Sequence, residues 1–269
     1  MTTKTSIFLT GATGLIDGSV LARLLAHPKA ADFEIIALVR SEAKGRLLQA
    51  NFGVKPLVGS LQDVDKIAAV SEAANVIINT ADCDDLPSAE AILSGMKARH
   101  DKTGEVPILI HTSGTAMLIN DAKGVYLAET VYDDMNLEQI KSIPPSALHR
   151  HVDIPIVEAD VAGYIRAHIV APSVVYGVAK HALVDAGIAN PFSMCGQLLA
   201  RAAIKRGRPV IVGEGKCSWS HVHIDDSTNC RCKGSRSRGQ VGWKPRHDMK
   251  NFDASTVEDF RGVLETENK

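Results

Sequence analysis

The stretch from Ser6 to Gly18, SIFLTGATGLIDG, constrains this chain more than any other part of it. A short run rich in aliphatic and aromatic residues is followed at once by Gly11 and Gly14, and then by residues that suit a helix from about Gly14 to Ala26. Glycines at such a junction let the backbone turn tightly and approach a charged group, and the first amides of the helix meet that group with partial positive charge. A strand, a glycine turn and a helix in this order can cradle a pyrophosphate. Gly11, Thr13, Gly14, Leu15 and Ile16 are therefore the first candidate ligand-binding residues. Asp17 disagrees with the pattern, because a carboxylate in the first helical turn favours the helix dipole but repels a bound pyrophosphate.

Beyond this loop the chain alternates strand and helix signals. Strands are expected at Ser6–Leu9, Glu34–Leu38, Lys55–Val58, Val76–Asn79, Ile108–His111 and Ala167–Val170, and helices from Glu42, over Asp65–Ala73 and over Ser88–Arg99. Such alternation predicts crossover units and an α/β fold with a doubly wound, Rossmann-type parallel sheet. Hydrophobic residues make up 45% of the chain and aromatic ones only 4%, so its core must be mostly aliphatic, as suits strands covered on both faces. Residues 117–155 read as a helix between two loops. Phe192–Arg206 reads as a helix and Val210–Gly213 as extended. The expected division is a nucleotide-binding domain over 1–180, then a small, truncated C-terminal lobe and tail over 181–269.

Thirty basic residues against 31 acidic ones give a formal charge of -1, which offers no attraction to nucleic acid or to an anionic membrane. A small-molecule substrate is the expected partner, and a homodimer stays open. The opening MTTKTSIFLTGATG runs straight into strand and glycine loop, so no signal peptide is expected and a cytoplasmic location is. Five cysteines at irregular spacing read as free thiols. His221-x-His223 and Cys230-x-Cys232 have gaps too short for the usual zinc patterns, so no metal site is assigned. The basic run Arg231–Arg246 has only Trp243 for stacking and reads as a solvated loop.

After the second strand comes Arg40, with no acidic residue to accept hydrogen bonds from a free ribose 2′-hydroxyl. Arg40 can pair instead with a 2′-phosphate, which favours NADP over NAD.

TGATGLIDG, GSLQD (59–63), INTAD (78–82), HTSGT (111–115) and APSVVYG (171–177) resemble, in order and spacing, landmarks of the extended short-chain dehydrogenase/reductase family. The resemblance covers roughly residues 5 to 226 and is strongest to atypical fungal members of the NAD-dependent epimerase/dehydratase-like or NmrA-like kind. It implies that Ser60 and Leu61 border the adenine, that Thr80 and Ala81 border the cofactor riboses, that Thr112 is cofactor-binding, and that Ser113 orients the substrate oxygen. The family's chemistry uses a Tyr as acid/base with a Lys four residues on that lowers its pKa. Where that pair would fall, this chain has His149-Arg-His-Val-Asp153; the literal YxxxK at Tyr176–Lys180 belongs to the APSVVYG landmark and reads as a decoy. The proton donor is open among Tyr132, His149 and an ordered water.

The resemblance thus implies an NADP-dependent oxidoreductase acting on a small carbonyl or alcohol, with a non-catalytic NAD(P)-binding sensor or truncated relic as the alternative. VHIDD (222–226) is followed almost at once by RSRGQVGWKP (236–245), elements that the family separates by several dozen residues. An internal deletion is inferred. It would leave the apolar faces of 192–206 and 210–212 partly uncovered.

Overall fold

The computed structural model describes residues 4–226, with 232, 233, 239, 246, 247, 252, 255, 258, 261 and 263. The strands are β1 (Thr5–Leu9), β2 (Phe33–Val39), β3 (Lys55–Val58), β4 (Val76–Asn79), β5 (Ile108–Thr112), β6 (Tyr132–Asp133), β7 (Arg166–Val170), β8 (Val174–Tyr176), β9 (His221–His223) and β10 (Cys232–Lys233). The α-helices are α1 (Leu15–Leu25), α2 (Glu42–Phe52), α3 (Val64–Ala73), α4 (Leu86–Thr103), α5 (Leu137–Lys141), α6 (Arg150–Val161), α7 (Ala182–Asp185) and α8 (Met194–Arg206). Six strands form one parallel sheet in the order β3-β2-β1-β4-β5-β7. The expected α/β doubly wound sheet is observed.

Both faces of this sheet are buried, which is why its strands read as nearly unbroken aliphatic runs. Phe8, Ile77 and Leu109 point to one side, where Ile67, Met96 and Ile156 from α3, α4 and α6 complete a core. Leu9, Ala37, Val39 and Ile78 point to the other, against Leu21 and Leu48 from α1 and α2. Helices α3 and α4 approach so closely that a Cβ on Gly95 would lie 2.2 Å from the Ala68 carbonyl oxygen. Only glycine permits that contact.

Two units interleave along the chain: Met1–Ser113, Leu148–Val170 and Lys180–Asn190 in the first, and Gly114–Ala147, Ala171–Ala179 and Pro191–Lys269 in the second. The sequence reading places one boundary after residue 180, whereas the chain passes repeatedly from one unit to the other. Within the second unit, β8 pairs with β9 and β6 with β10, both in parallel.

Two local expectations need correction. The single helix expected within 117–155 is instead a short 3-10 turn at Thr115–Leu118, the five-residue α5, and then α6, which starts at Arg150 and continues past that range. Pro144 and Pro145 separate the last two, since proline supplies no amide and restricts the residue before it. Val210–Gly213 is not a strand. It leads into a turn in which Gly213 and Gly215 have positive φ, and Gly124 O accepts the amides of Glu214 and Lys216.

The apolar face of α8 is open, with Leu198 and Leu199 at 58% and 63% exposure, and Ile211 beyond it reaches 77%. Among the described residues no helix is long and apolar enough to cross a membrane. Of the junction inferred between VHIDD and GWKP, Cys232 and Lys233 are described as β10, whereas Cys230 and Trp243 lie outside the described residues.

Candidate nucleotide-binding and active site

The sheet order reverses between β1 and β4, and in open α/β sheets the crevice beyond the strand ends at such a switch point is where ligands bind. Thr10, fully buried just after β1, ties the two strand ends together. Its hydroxyl donates to Asn79 Oδ1 at 2.8 Å and accepts the amides of Thr80 and Ala81 at 3.0 and 3.2 Å. The Thr80 hydroxyl returns a bond to the Thr10 carbonyl at 2.9 Å. Thr80 and Ala81 are thereby fixed at the switch point next to the glycine loop. Thr10 was missed as a positioning residue, although its place between strand and glycine turn was the available signal.

The other expected cofactor residues follow the ends of neighbouring strands. Arg40 is exposed immediately after β2. Ser60 follows β3, and its amide and hydroxyl both donate to Asp63 Oδ2, at 2.8 and 3.2 Å, while Leu61 packs against the core. Thr112 ends β5, and Ser113 comes next.

Gly11 has φ +73, in the left-handed region where glycine is at ease, and Gly14 caps α1 with no side-chain hydrogen bond of its own. Asp17 folds back into this loop. A Cβ built on either Gly11 or Gly14 would lie 2.4 Å from Asp17 Oδ2, so the carboxyl fills the space that the two glycines leave. It is only 8% exposed, and burial pushes its pKa up to about 8 against the hydrogen bonds it makes with the Thr80 hydroxyl and with the amides of Asp17 and Gly14. Near neutral pH the group is mostly protonated. The expected repulsion of a pyrophosphate by Asp17 is therefore largely absent at neutral pH, since a neutral carboxyl carries no charge to repel it. Gly14 offers no side chain of its own, and the amides of Gly14 and Asp17 are met by the Asp17 carboxyl, which a nucleotide phosphate at this loop would displace.

A second polar group lies at the ends of β4 and β5, all of it in the first unit. Asn79 Nδ2 is 3.1 Å from His111 Nδ1, His111 Nε2 is 3.8 Å from Asp153 Oδ1, and the Ser113 hydroxyl donates to Asp153 Oδ2 at 3.0 Å. His111 and Asp153 are almost wholly buried, and the facing atoms, Nε2 and Oδ1, have no hydrogen-bond partner. The 3.8 Å approach falls within ion-pair range, but burial pulls the His111 pKa down to about 4 and pushes that of Asp153 up. We read the pair as neutral at His111, because removing water penalises charge on both groups. On sequence alone Asp153 cannot do the work of the family's Lys, and His111 and Asn79 carry no assigned role. A His and an Asn inside aliphatic strands were the clue.

His149 sits just before α6 with φ +68. Its Nδ1 is 2.8 Å from Asp84 Oδ1 and 3.2 Å from Cys83 Sγ. Burial, with the nearby Asp84 and Asp82 carboxylates, pushes the Cys83 thiol up to about 12, so it holds its proton. Ser113 and His149 thus belong to the same unit as the glycine loop. Tyr132 belongs to the second unit, on β6, where it pairs with Cys232 in the ladder. Tyr176, the decoy of the YxxxK match, is 5% exposed and meets His221, His223 and Phe252 edge-on.

Six parallel strands in this order, with a glycine loop at the switch point, define a Rossmann-type α/β protein. The model of the NmrA-like family matches residues 3–97, in agreement with the resemblance read from the sequence. The chain is 29% identical over 228 residues to oxidase ucsJ of Acremonium sp, covering 82% of itself but only 63% of that relative. It is similar in structure to yeast methylglyoxal/isovaleraldehyde reductase Gre2 complexed with NADPH (TM-score 0.59, 14% identity, 98% of this chain and 99% of that one). It is also similar to dTDP-glucose 4,6-dehydratase from Bacillus anthracis in complex with NAD (TM-score 0.63, 12% identity, 97% of each chain). A third similar structure is the UDP-Glc/GlcNAc 4-epimerase of Campylobacter jejuni (TM-score 0.62, 13% identity, 97% of this chain and 99% of that one). At these identities the structures share the fold.

Proposed function

We propose that this chain is a nicotinamide-dependent oxidoreductase of the extended short-chain type that prefers NADP and acts on a small carbonyl or alcohol. The observation that carries the reading is the convergence of the glycine loop, Thr80, Ala81, Thr112 and Ser113 on the strand ends around one switch point. The reductase and dehydratase of similar fold, complexed with NADPH and NAD, and the relative named an oxidase support it. The α1 N-terminus and the loop from Gly11 through Thr13 and Gly14 to Leu15 and Ile16 would hold the pyrophosphate. Arg40 would pair with the 2′-phosphate, Ser60 and Leu61 would border the adenine, and Thr80 and Ala81 the riboses. When bound, the nicotinamide supplies the hydride chemistry.

Ser113 would orient the reacting oxygen. With Asp153 ionised, the Ser113 proton is committed to Oδ2; with Asp153 protonated, the acid can donate to Ser113 and free the serine O–H for substrate. Burial of Asp153 favours the second state. The second unit would be the shortened substrate lobe.

A second reading, a protein that binds NAD(P) without turnover, is favoured by the same contact, since Ser113 is engaged internally and His149 and Asp153 stand where the Tyr/Lys pair belongs. Equilibrium titration of monodisperse protein with NADPH and NADH, followed by nicotinamide fluorescence, tests the shared part. Arg40→Ala should weaken NADPH about tenfold, the loss of one charge-assisted contact, and leave NADH unchanged. No binding of either nucleotide by folded protein would refute both readings. NADPH oxidation across a panel of small carbonyls supports the enzyme, and binding without oxidation supports the sensor.

A further inference from the structure

We propose that Cys83, Asp84 and His149 form a three-ligand site for a borderline divalent cation such as zinc, a site that the sequence reading, which assigned no metal, did not contain. Cys83 and Asp84 lie in the loop between β4 and α4, and His149 immediately precedes α6. The chain thus brings together residues 65 positions apart, with Asp84 Oδ1 2.8 Å and Cys83 Sγ 3.2 Å from the same imidazole nitrogen, Nδ1 of His149. All three donor atoms lie within 4.8 Å of one another. A thiolate, an imidazole and a carboxylate are ligand types that zinc accepts, and three protein ligands with an open position are the pattern of a reactive rather than a closed structural zinc site.

The surroundings favour a cation. Asp84 and Asp82 bear on Cys83, with a smaller contribution from Asp153, whose burial favours the protonated form and beside which Arg150 lies. His151 approaches from α6, with Nε2 3.0 Å from the Asp84 carbonyl oxygen and 4.0 Å from its Oδ1, so it holds the Asp84 backbone in place.

In the metal-free state His149 Nδ1 is within hydrogen-bond reach of both Asp84 Oδ1 and Cys83 Sγ. On binding, the Cys83 S–H proton leaves to solvent as the metal–sulfur bond forms, the neutral His149 ring carries its proton on Nε2, and Nδ1 binds the ion through its lone pair. No change in oxidation state is involved. One ligand of the ion, His149, stands where the family resemblance would place the Tyr.

The test is a titration of the full chain, reduced and freed of metal, with cobalt(II), followed by absorption and by proton release, with no nucleotide present. One equivalent is expected to saturate with a thiolate-to-cobalt charge-transfer band and visible bands of tetrahedral intensity. Cys83→Ser should abolish the charge-transfer band, and Asp84→Asn and His149→Gln should each weaken binding about tenfold or more, with unchanged far-ultraviolet circular dichroism. The absence of a charge-transfer band in the wild-type chain would overturn the proposal. So would a band that survives Cys83→Ser, which would put the metal on other thiols, or a band indifferent to His149→Gln. Because the readout is optical, its failure is distinct from a failure of nucleotide binding.

Discussion

Replacing Asp17 by Asn should remove a pH dependence of stability that this one buried acid imposes. Its pKa rises from 3.8 to about 8 on folding, about four units. At about 1.4 kcal/mol per unit the native state forfeits on the order of 5 kcal/mol between acid and alkaline pH. The sign follows from proton counts: between pH 4 and pH 8 the folded chain keeps the Asp17 proton and the unfolded chain has lost it. Stability therefore falls as pH rises through this window and levels off above the folded pKa. The expected slope is about 1.4 kcal/mol per pH unit, one proton, and at pH 7 on the order of 4 kcal/mol is already lost. Asn cannot ionise and nearly matches Asp in volume, so the Asp17→Asn chain lacks this contribution. Urea denaturation of both chains from pH 5 to pH 9 checks it, because other titrating groups cancel in the difference. Parallel curves for the two chains would show that the carboxyl is not held neutral in the glycine loop.

Gly14→Ala should be costly alone and nearly neutral in an Asp17→Gly background, since the new Cβ meets Asp17 Oδ2 at 2.4 Å but nothing beyond Asp17 closer than the Gly11 oxygen at 3.7 Å. A double-mutant cycle should give a coupling of about 1 kcal/mol or more, and additive effects would contradict the packing. Gly11→Ala should stay destabilising in both backgrounds, because φ is +73 and the Cβ would also come 2.9 Å from Ala81 Cα. Gly95→Ala should cost about 3 kcal/mol or more, read from the denaturation midpoint, because backbone rather than a flexible side chain occupies the space. Ser113→Ala should cost about 1–3 kcal/mol by leaving the Asp153 carboxyl without its donor, and more at high pH, where that carboxyl ionises. An unchanged midpoint at pH 8 would show that the bond is not made in solution.

By itself the sequence determined the sheet and the glycine loop. Lys55–Val58 and Val76–Asn79 fall at the expected residues because a buried parallel strand needs an aliphatic run, a local property that periodicity and flanking helices reveal. The places of Gly11 and Gly14 after a strand were legible in the glycine turn, and those of Thr80 and Ser113 at strand ends came from the family resemblance. The start of α6 was not, because Pro144, Pro145 and the left-handed His149 interrupt the local helix signal just ahead of it, and only packing of Ile156 against the sheet confirms the helix. Tertiary structure alone decided the state of the polar groups. Asp17 reads as a charge in sequence, whereas burial in the fold raises its pKa to about 8, and His111, Asn79, Asp153 and Ser113 become one network only where β4, β5 and α6 meet. Burial and the distance between residues far apart in the chain set ionisation and pairing, and neither quantity exists until the strands and helices are brought together.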